Sequence, residues 1–101
     1  MKLLLKLFVT GRTPRSERAI YQLRRLCETE LKSHACEIVI VDVLEEPEAA
    51  ETDRILATPT LIKQSPPPVR RIIGDLSDTR GVLTALGLWL RAEEHPKRER
   101  S

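Results

Sequence analysis

The spacing of apolar and polar residues changes period several times along the chain. Leu3 to Val9, LLLKLFV, is apolar except at Lys6 and stops at Thr10-Gly11, the pattern of a buried strand. Thr13-Pro14 then offers a capping hydroxyl and a proline at the first helical position, where its missing N–H would be unpaired anyway. From about 15 to 32 the period is helical. Ala19, Ile20, Leu23, Leu26, Cys27 and Leu31 share one face, while Arg18, Gln22, Arg25, Glu28 and Lys32 share the other. Ser33 to Cys36 is expected to be a loop. The β-branched run EIVIVDVL, residues 37 to 44, predicts a second strand covered on both faces.

Strand, helix and strand at this spacing make a βαβ unit, with parallel strands and a right-handed crossover. Glu45-Glu46-Pro47 ends the second strand. Glu48 to Leu56 predicts a short helix, acidic near its start and with Arg54 near its end, as the helix dipole prefers. Ala57-Thr58-Pro59 interrupts it. Thr60 to Lys63 and Val69 to Ile73 predict two short strands joined by Gln64-Ser65-Pro66-Pro67-Pro68, a connection too short for a parallel crossover and therefore a hairpin. Ser77 or Asp78 caps a last helix with Val82, Leu83, Leu86, Trp89 and Leu90 on its apolar face. The order β-α-β-α-β-β-α, with a four-stranded mixed sheet and helices on its faces, is the thioredoxin-like arrangement, expected over residues 1–92. Residues 93–101, EEHPKRERS, are charged and predict a flexible tail.

Composition narrows the functional classes. The chain has 101 residues, 41% of them hydrophobic and 32% charged, which suits one globular domain. No apolar run is long enough to span a bilayer, and the apolar start is too short for a signal peptide, so a cytoplasmic protein without membrane attachment is expected. The net charge of +2 is spread in mixed signs, and one Trp, one Tyr and one Phe offer few stacking platforms; nucleic acid is not the expected partner.

In a thioredoxin-like fold reactive thiols sit after the first strand, at a helix N-terminus that lowers their pKa. Here that stretch is Thr10-Gly11-Arg12-Thr13-Pro14-Arg15-Ser16 and holds no cysteine. Cys27 falls mid-helix and Cys36 before the second strand, and neither spacing suits a zinc site. His34 and His95 lack spaced partners, and Glu45, Glu46, Glu48 and Glu51 are explained as acids around a helix start. Ser65 sits beside no base. No metal site, cofactor or catalytic residue is expected. Pro59 stands where the scaffold places a proline, often cis, before its third strand. Arg12, Arg15 and Arg18 around the first helix start, and Arg70-Arg71 in the hairpin, could meet a carboxylate-bearing protein surface. Being adjacent in a strand, Arg70 and Arg71 must serve opposite faces.

The segments LKLFVTGRTPRS, IVIVDVLEEPEAAETDRILATPTLIK and PPPVRRIIGDLSD resemble the KaiB family of circadian-clock proteins over about residues 3 to 91. That resemblance implies a non-enzymatic protein that binds the N-terminal ring of a KaiC-type ATPase. In cyanobacteria it also implies capture of KaiA and displacement of the thioredoxin-like sensor domain of a histidine kinase. It further implies two folds, a tetrameric ground state with a rearranged C-terminal half and a thioredoxin-like monomer that binds KaiC, with the divide at the proline-rich hairpin. The residues implied in switching are Pro59, Pro66, Pro67, Pro68, Ala85 and Gly87. Those implied in partner binding are Lys6, Arg18, Asp42, Leu44, Arg54 and Lys63. Arg12 and Arg15 replace the usual asparagines of the family's GNTPNS, and with Ala85 in the late helix the balance tilts towards the thioredoxin-like state. The alternative is a degenerate thioredoxin-like redox protein using Cys27 or Cys36.

Overall fold

The computed structural model describes residues 2–88. Its elements follow the expected order: β1 Lys2–Val9, α1 Pro14–Glu28, β2 Ala35–Asp42, α2 Pro47–Thr52, β3 Thr60–Ser65, β4 Arg70–Ile73 and α3 Thr79–Ala85. The sheet order is β2-β1-β3-β4, with β2 parallel to β1 and both β3 and β4 antiparallel to their neighbours. Trp89, Leu90, His95 and the tail lie outside the described residues.

The two-residue period of β1 divides the interior. Leu3, Leu5, Leu7 and Val9 face α1 and α3, where they meet Ala19, Leu23, Leu26, Val82, Leu83 and Leu86. Phe8 faces the other way, with Val41 and Ile62, and Ala49 of α2 packs over them. The larger cluster therefore lies under two helices and the smaller under one short helix. Burying each of these leucines or the phenylalanine is worth about 1.5–3 kcal/mol.

Several boundaries differ from the sequence expectation. Helix α1 ends at Glu28 rather than near 32. The Thr29 N–H and hydroxyl both bond to the Arg25 carbonyl, and Leu31 N–H reaches back to the Leu26 carbonyl at 3.1 Å. This turn tucks Leu31 under the core at 2% exposure without helical geometry. Strand β2 starts at Ala35 and stops at Asp42, and it is an edge strand: only Val41 is fully buried. The continuous apolar run is half covered because β2 pairs with β1 alone. Helix α2 stops at Thr52, since Arg54 takes a left-handed φ of +54° and Ile55 N–H bonds to the Ala50 carbonyl. Strand β3 runs to Ser65, which pairs with Leu4 past a register shift.

The caps match expectation more closely. Thr13 Oγ1 accepts from Ser16 N–H at 3.1 Å, with Pro14 at the first helical position. Of the two candidates for α3, Asp78 caps, its Oδ1 accepting from Gly81 N–H at 3.1 Å.

Candidate functional site

The loops after β1, β2 and β4 and the loop before β3 all emerge at one end of the sheet, the carboxyl end of its parallel pair. In open α/β sheets this end is where ligands bind. Here the loops are tied to one another. The Thr10 and Thr58 hydroxyls share a hydrogen bond, Ser16 Oγ donates to the Thr10 carbonyl at 3.2 Å, and Gly74 N–H donates to the Pro59 carbonyl at 2.8 Å. The Thr58–Pro59 bond is cis, as are Ser65–Pro66 and Pro67–Pro68. Pro59 is buried beside the start of α1.

Asp42 fixes the loop after β2. Its Oδ1 accepts from Gly11 N–H at 3.0 Å and from Leu44 N–H at 2.9 Å. Gly11 takes φ +63°, which side-chain-bearing residues rarely adopt, and a Cβ there would touch Leu44 at 3.5 Å. The result is that Leu44 projects outward, 68% exposed, across the end of the sheet. Leu56, 92% exposed, projects from the loop that follows α2. Thr10, Val43, Pro47, Ile55 and Thr58 line a shallow depression together with Leu56.

Charged residues cluster at the end of α2, just before Leu56. Lys6 Nζ lies 3.4 Å from Asp53 Oδ2 on the α2 side of the sheet. Arg71 donates from Nη2 to the Asp53 carbonyl at 2.8 Å and from Nη1 to the Arg54 carbonyl at 3.3 Å. The left-handed turn at Arg54 is thus held by β4, and its own side chain is left at the surface. Arg70 approaches Gly87 on the opposite side of the sheet, so the two neighbouring arginines do serve different faces.

Of the residues to which partner binding was assigned, Leu44 and Arg54 stand at this end, with Asp42 acting through the loop it shapes. Lys6 sits behind them at Asp53. Arg18 lies apart, in a cleft beside α1. Lys63 stands away from this end: it is 3% exposed, on the α1 and α3 side, with Nζ donating to the Pro66 carbonyl at 2.8 Å. Burial, with Arg70 close by, lowers its pKa from the ordinary 10.5. Leu56, where the sequence reading ended a helix, stands exposed at this end without having been singled out.

Cys27 and Cys36 approach one another where the end of α1 crosses β2, both half-buried against the larger core cluster. Burial first, then the neighbouring Cys36 and Glu28, push the Cys27 thiol up to about 12. A reactive thiol needs the opposite shift. Among the described residues no group of three or more His, Cys, Asp or Glu could hold a metal ion, and no helix is long and apolar enough to cross a membrane.

Comparison with known proteins agrees with the fold. The KaiB domain model matches residues 6–88. The circadian clock oscillator protein KaiB of a Synechococcus species is 56% identical over 85 residues, covering 84% of this chain and 71% of that protein. Its counterpart in a Picosynechococcus species is 53% identical over 95 residues, covering 94% and 88%. Among solved structures, the N-terminal domain of SasA from Synechococcus elongatus matches with a TM-score of 0.72 at 26% identity, covering 86% of this chain and 85% of that one. Mitochondrial thioredoxin 3 of Saccharomyces cerevisiae matches at 0.65 with 19% identity, over 84% and 76% of the two chains, a likeness of fold alone. With four-stranded thioredoxin-like architecture, no cysteine in the loop after β1, and a KaiB domain over nearly all of its described length, the chain belongs to the KaiB family.

Proposed function

We propose that this protein is a non-catalytic clock regulator that docks on the N-terminal ring of a KaiC-type ATPase. The observation that carries this reading is the combination of a KaiB domain over residues 6–88 with a thioredoxin-like sheet end that exposes Leu44 and Leu56 beside a cysteine-free loop after β1. Leu44 and Leu56 supply apolar anchors. Arg54 and Lys6 supply charge around them, and Asp42 holds the loop of Leu44 in place. Buried apolar anchors with a polar rim are how protein interfaces concentrate their binding energy.

In this reading the thioredoxin-like monomer is the binding form. A tetrameric ground state would rearrange the half that begins at the hairpin, with Pro66, Pro67 and Pro68 at the divide and Ala85 and Gly87 in the part that refolds. Two packings of one chain can exchange when they differ by only a few kcal/mol. KaiA or the sensor domain of a histidine kinase would be further partners.

Size-exclusion chromatography of the protein alone and mixed with a KaiC-type ATPase tests the reading, together with amide exchange over residues 56 to 88. Co-elution is expected, and it should persist when Cys27 and Cys36 are both replaced by Ala. Loss of binding in that double variant would instead favour the redox alternative, which the raised Cys27 pKa disfavours. No co-elution with any such ATPase at micromolar concentration would end the proposal.

A further inference from the structure

Arg15, Arg18, Gln22 and Arg25 follow one another at intervals of three, four and three along α1. That spacing puts them in one row on the helix surface. The row borders two clefts. One, of about 450 Å³, lies between Arg15, Arg18 and Gln22 on the helix and Pro59 and Asp75 opposite. The other, of about 370 Å³, continues from Gln22 and Arg25 towards Leu76, Ser77 and Thr79, with Glu30 at its far end. Gln22 is common to both and ties the walls together, since its Oε1 accepts from Leu76 N–H at 3.3 Å. The two clefts form one groove between α1 and the segment that leads from β4 into α3.

The charges of this groove are unevenly satisfied. Asp75 accepts from Ser77 Oγ at 2.8 Å and from Ser77 N–H at 3.1 Å. The Ser77 hydroxyl, with smaller help from Gln22 and Arg18, holds its carboxyl below the ordinary 3.8. Among the described residues, by contrast, no carboxylate lies within 4 Å of the guanidinium of Arg15, Arg18 or Arg25. Arg12, just outside the groove, does have one, Glu17 at 3.7 Å.

We propose that this groove binds an extended, acidic segment of a partner protein, with its carboxylates on Arg15, Arg18 and Arg25. The length fits: ten residues of helix rise about 15 Å, and an extended chain covers that in about five residues. Side chains on one face of an extended chain recur at every second residue, so three carboxylates at alternate positions would span the row. Guanidinium offers each a planar, two-pronged donor. A nucleic acid suits the groove less well. It would bring phosphates past Asp75 and Glu30, and no aromatic side chain lines either cleft to stack on a base. The groove includes Arg18, which the family resemblance also implies in partner binding; because the probe is a short peptide, failure here and failure of docking on a KaiC-type ATPase are read separately.

The test is a nitrogen-15 NMR titration of the full chain. The probe is the capped peptide Gly-Glu-Ser-Glu-Val-Glu-Gly, and its counterpart with all three Glu changed to Gln is the control. Saturable shifts are expected along Arg15 to Arg25 and at Leu76 to Ser77, with the Gln peptide at least tenfold weaker. The pair Arg15→Glu and Arg25→Glu should weaken binding at least tenfold. Arg24→Glu, on the same helix but lining a separate cleft with Ile40 and Asp42, should leave it within twofold. All substituted side chains are exposed, and thermal melts of the variants check that the fold is retained. Absence of saturable shifts, equal binding of the Gln peptide, or an equal loss in Arg24→Glu overturns the proposal. So does tighter binding of an oligothymidylate through the same residues.

Discussion

Alkaline pH offers a sharp test of how Cys27 is housed. Its thiol stands at about 12 in the folded chain against an ordinary 9.0. The folded value is the higher, so the neutral thiol's contribution is fully present below pH 9 and is lost as pH rises from there towards 12. Within that window the unfolded chain has released a proton that the folded chain retains, and stability falls by at most about 1.4 kcal/mol per pH unit. Between about pH 9 and 10.5 this is an upper limit of about 2 kcal/mol; because the thiol is only half-buried, solvent screening reduces it to roughly 1 kcal/mol. Lys63 works in the opposite sense. Its folded pKa lies below 10.5, so its buried ammonium is a penalty at neutral pH that is relieved as pH rises towards 10.5. Urea midpoints measured in half-unit steps above pH 8 for the protein, Cys27→Ala and Lys63→Met separate the two. Slopes with pH are compared rather than absolute stabilities, because each substitution also changes packing. Cys27→Ala should lose the alkaline fall, and Lys63→Met should steepen it. Curves for the protein and Cys27→Ala that run parallel above pH 9 would refute the account of the thiol, and an unchanged slope in Lys63→Met that of the lysine.

Three other outcomes follow from the packing. Leu7→Ala, in the central strand and without solvent exposure, should destabilise by about 3–5 kcal/mol in urea unfolding, enough to remove much of a small domain's stability. Gly81→Ala should be nearly neutral in the natural protein, because a Cβ there would come 2.5 Å from the capping Asp78 carboxylate and displace it. The same change made in Asp78→Ala should stabilise by about 1 kcal/mol, the ordinary gain of Ala over Gly in a helix, and a double-mutant cycle by thermal melt reads the difference. Replacing Leu44 and Leu56 together by Ser should leave the melting curve almost unchanged while weakening association with a KaiC-type ATPase at least tenfold by titration calorimetry.

The order of elements was legible because each period is unmixed. The β1 run, the stripe on α1 and the five-residue hairpin connection admit few alternatives. What misled was apolarity without a partner count. EIVIVDVL has the composition of a central strand, yet nothing in its composition states that it pairs on one side only. Leu31 keeps the helical period and is buried as that period demands, but a turn puts it there. Lys63 could not be recognised as buried, since a lysine in a short strand is usually solvated and only the fold over it shows otherwise. The meeting of Cys27 and Cys36 depends on how α1 crosses β2, which a spacing of nine residues does not encode. Arg15 and Arg18 were visible as candidates, whereas Arg25 acquired a role only when the segment after β4 supplied an opposite wall.

The hydroxyl pair Thr10–Thr58 and the amide link from Gly74 to Pro59 have a consequence for how fast complexes form and dissolve. Leu44 and Leu56 are carried on loops already knitted together, so little conformational freedom remains to be frozen when a partner arrives. Altering either leucine should then shorten residence time and hardly touch the encounter rate, whereas cutting a stitch beneath them, as in Thr58→Val, should slow productive encounter as well.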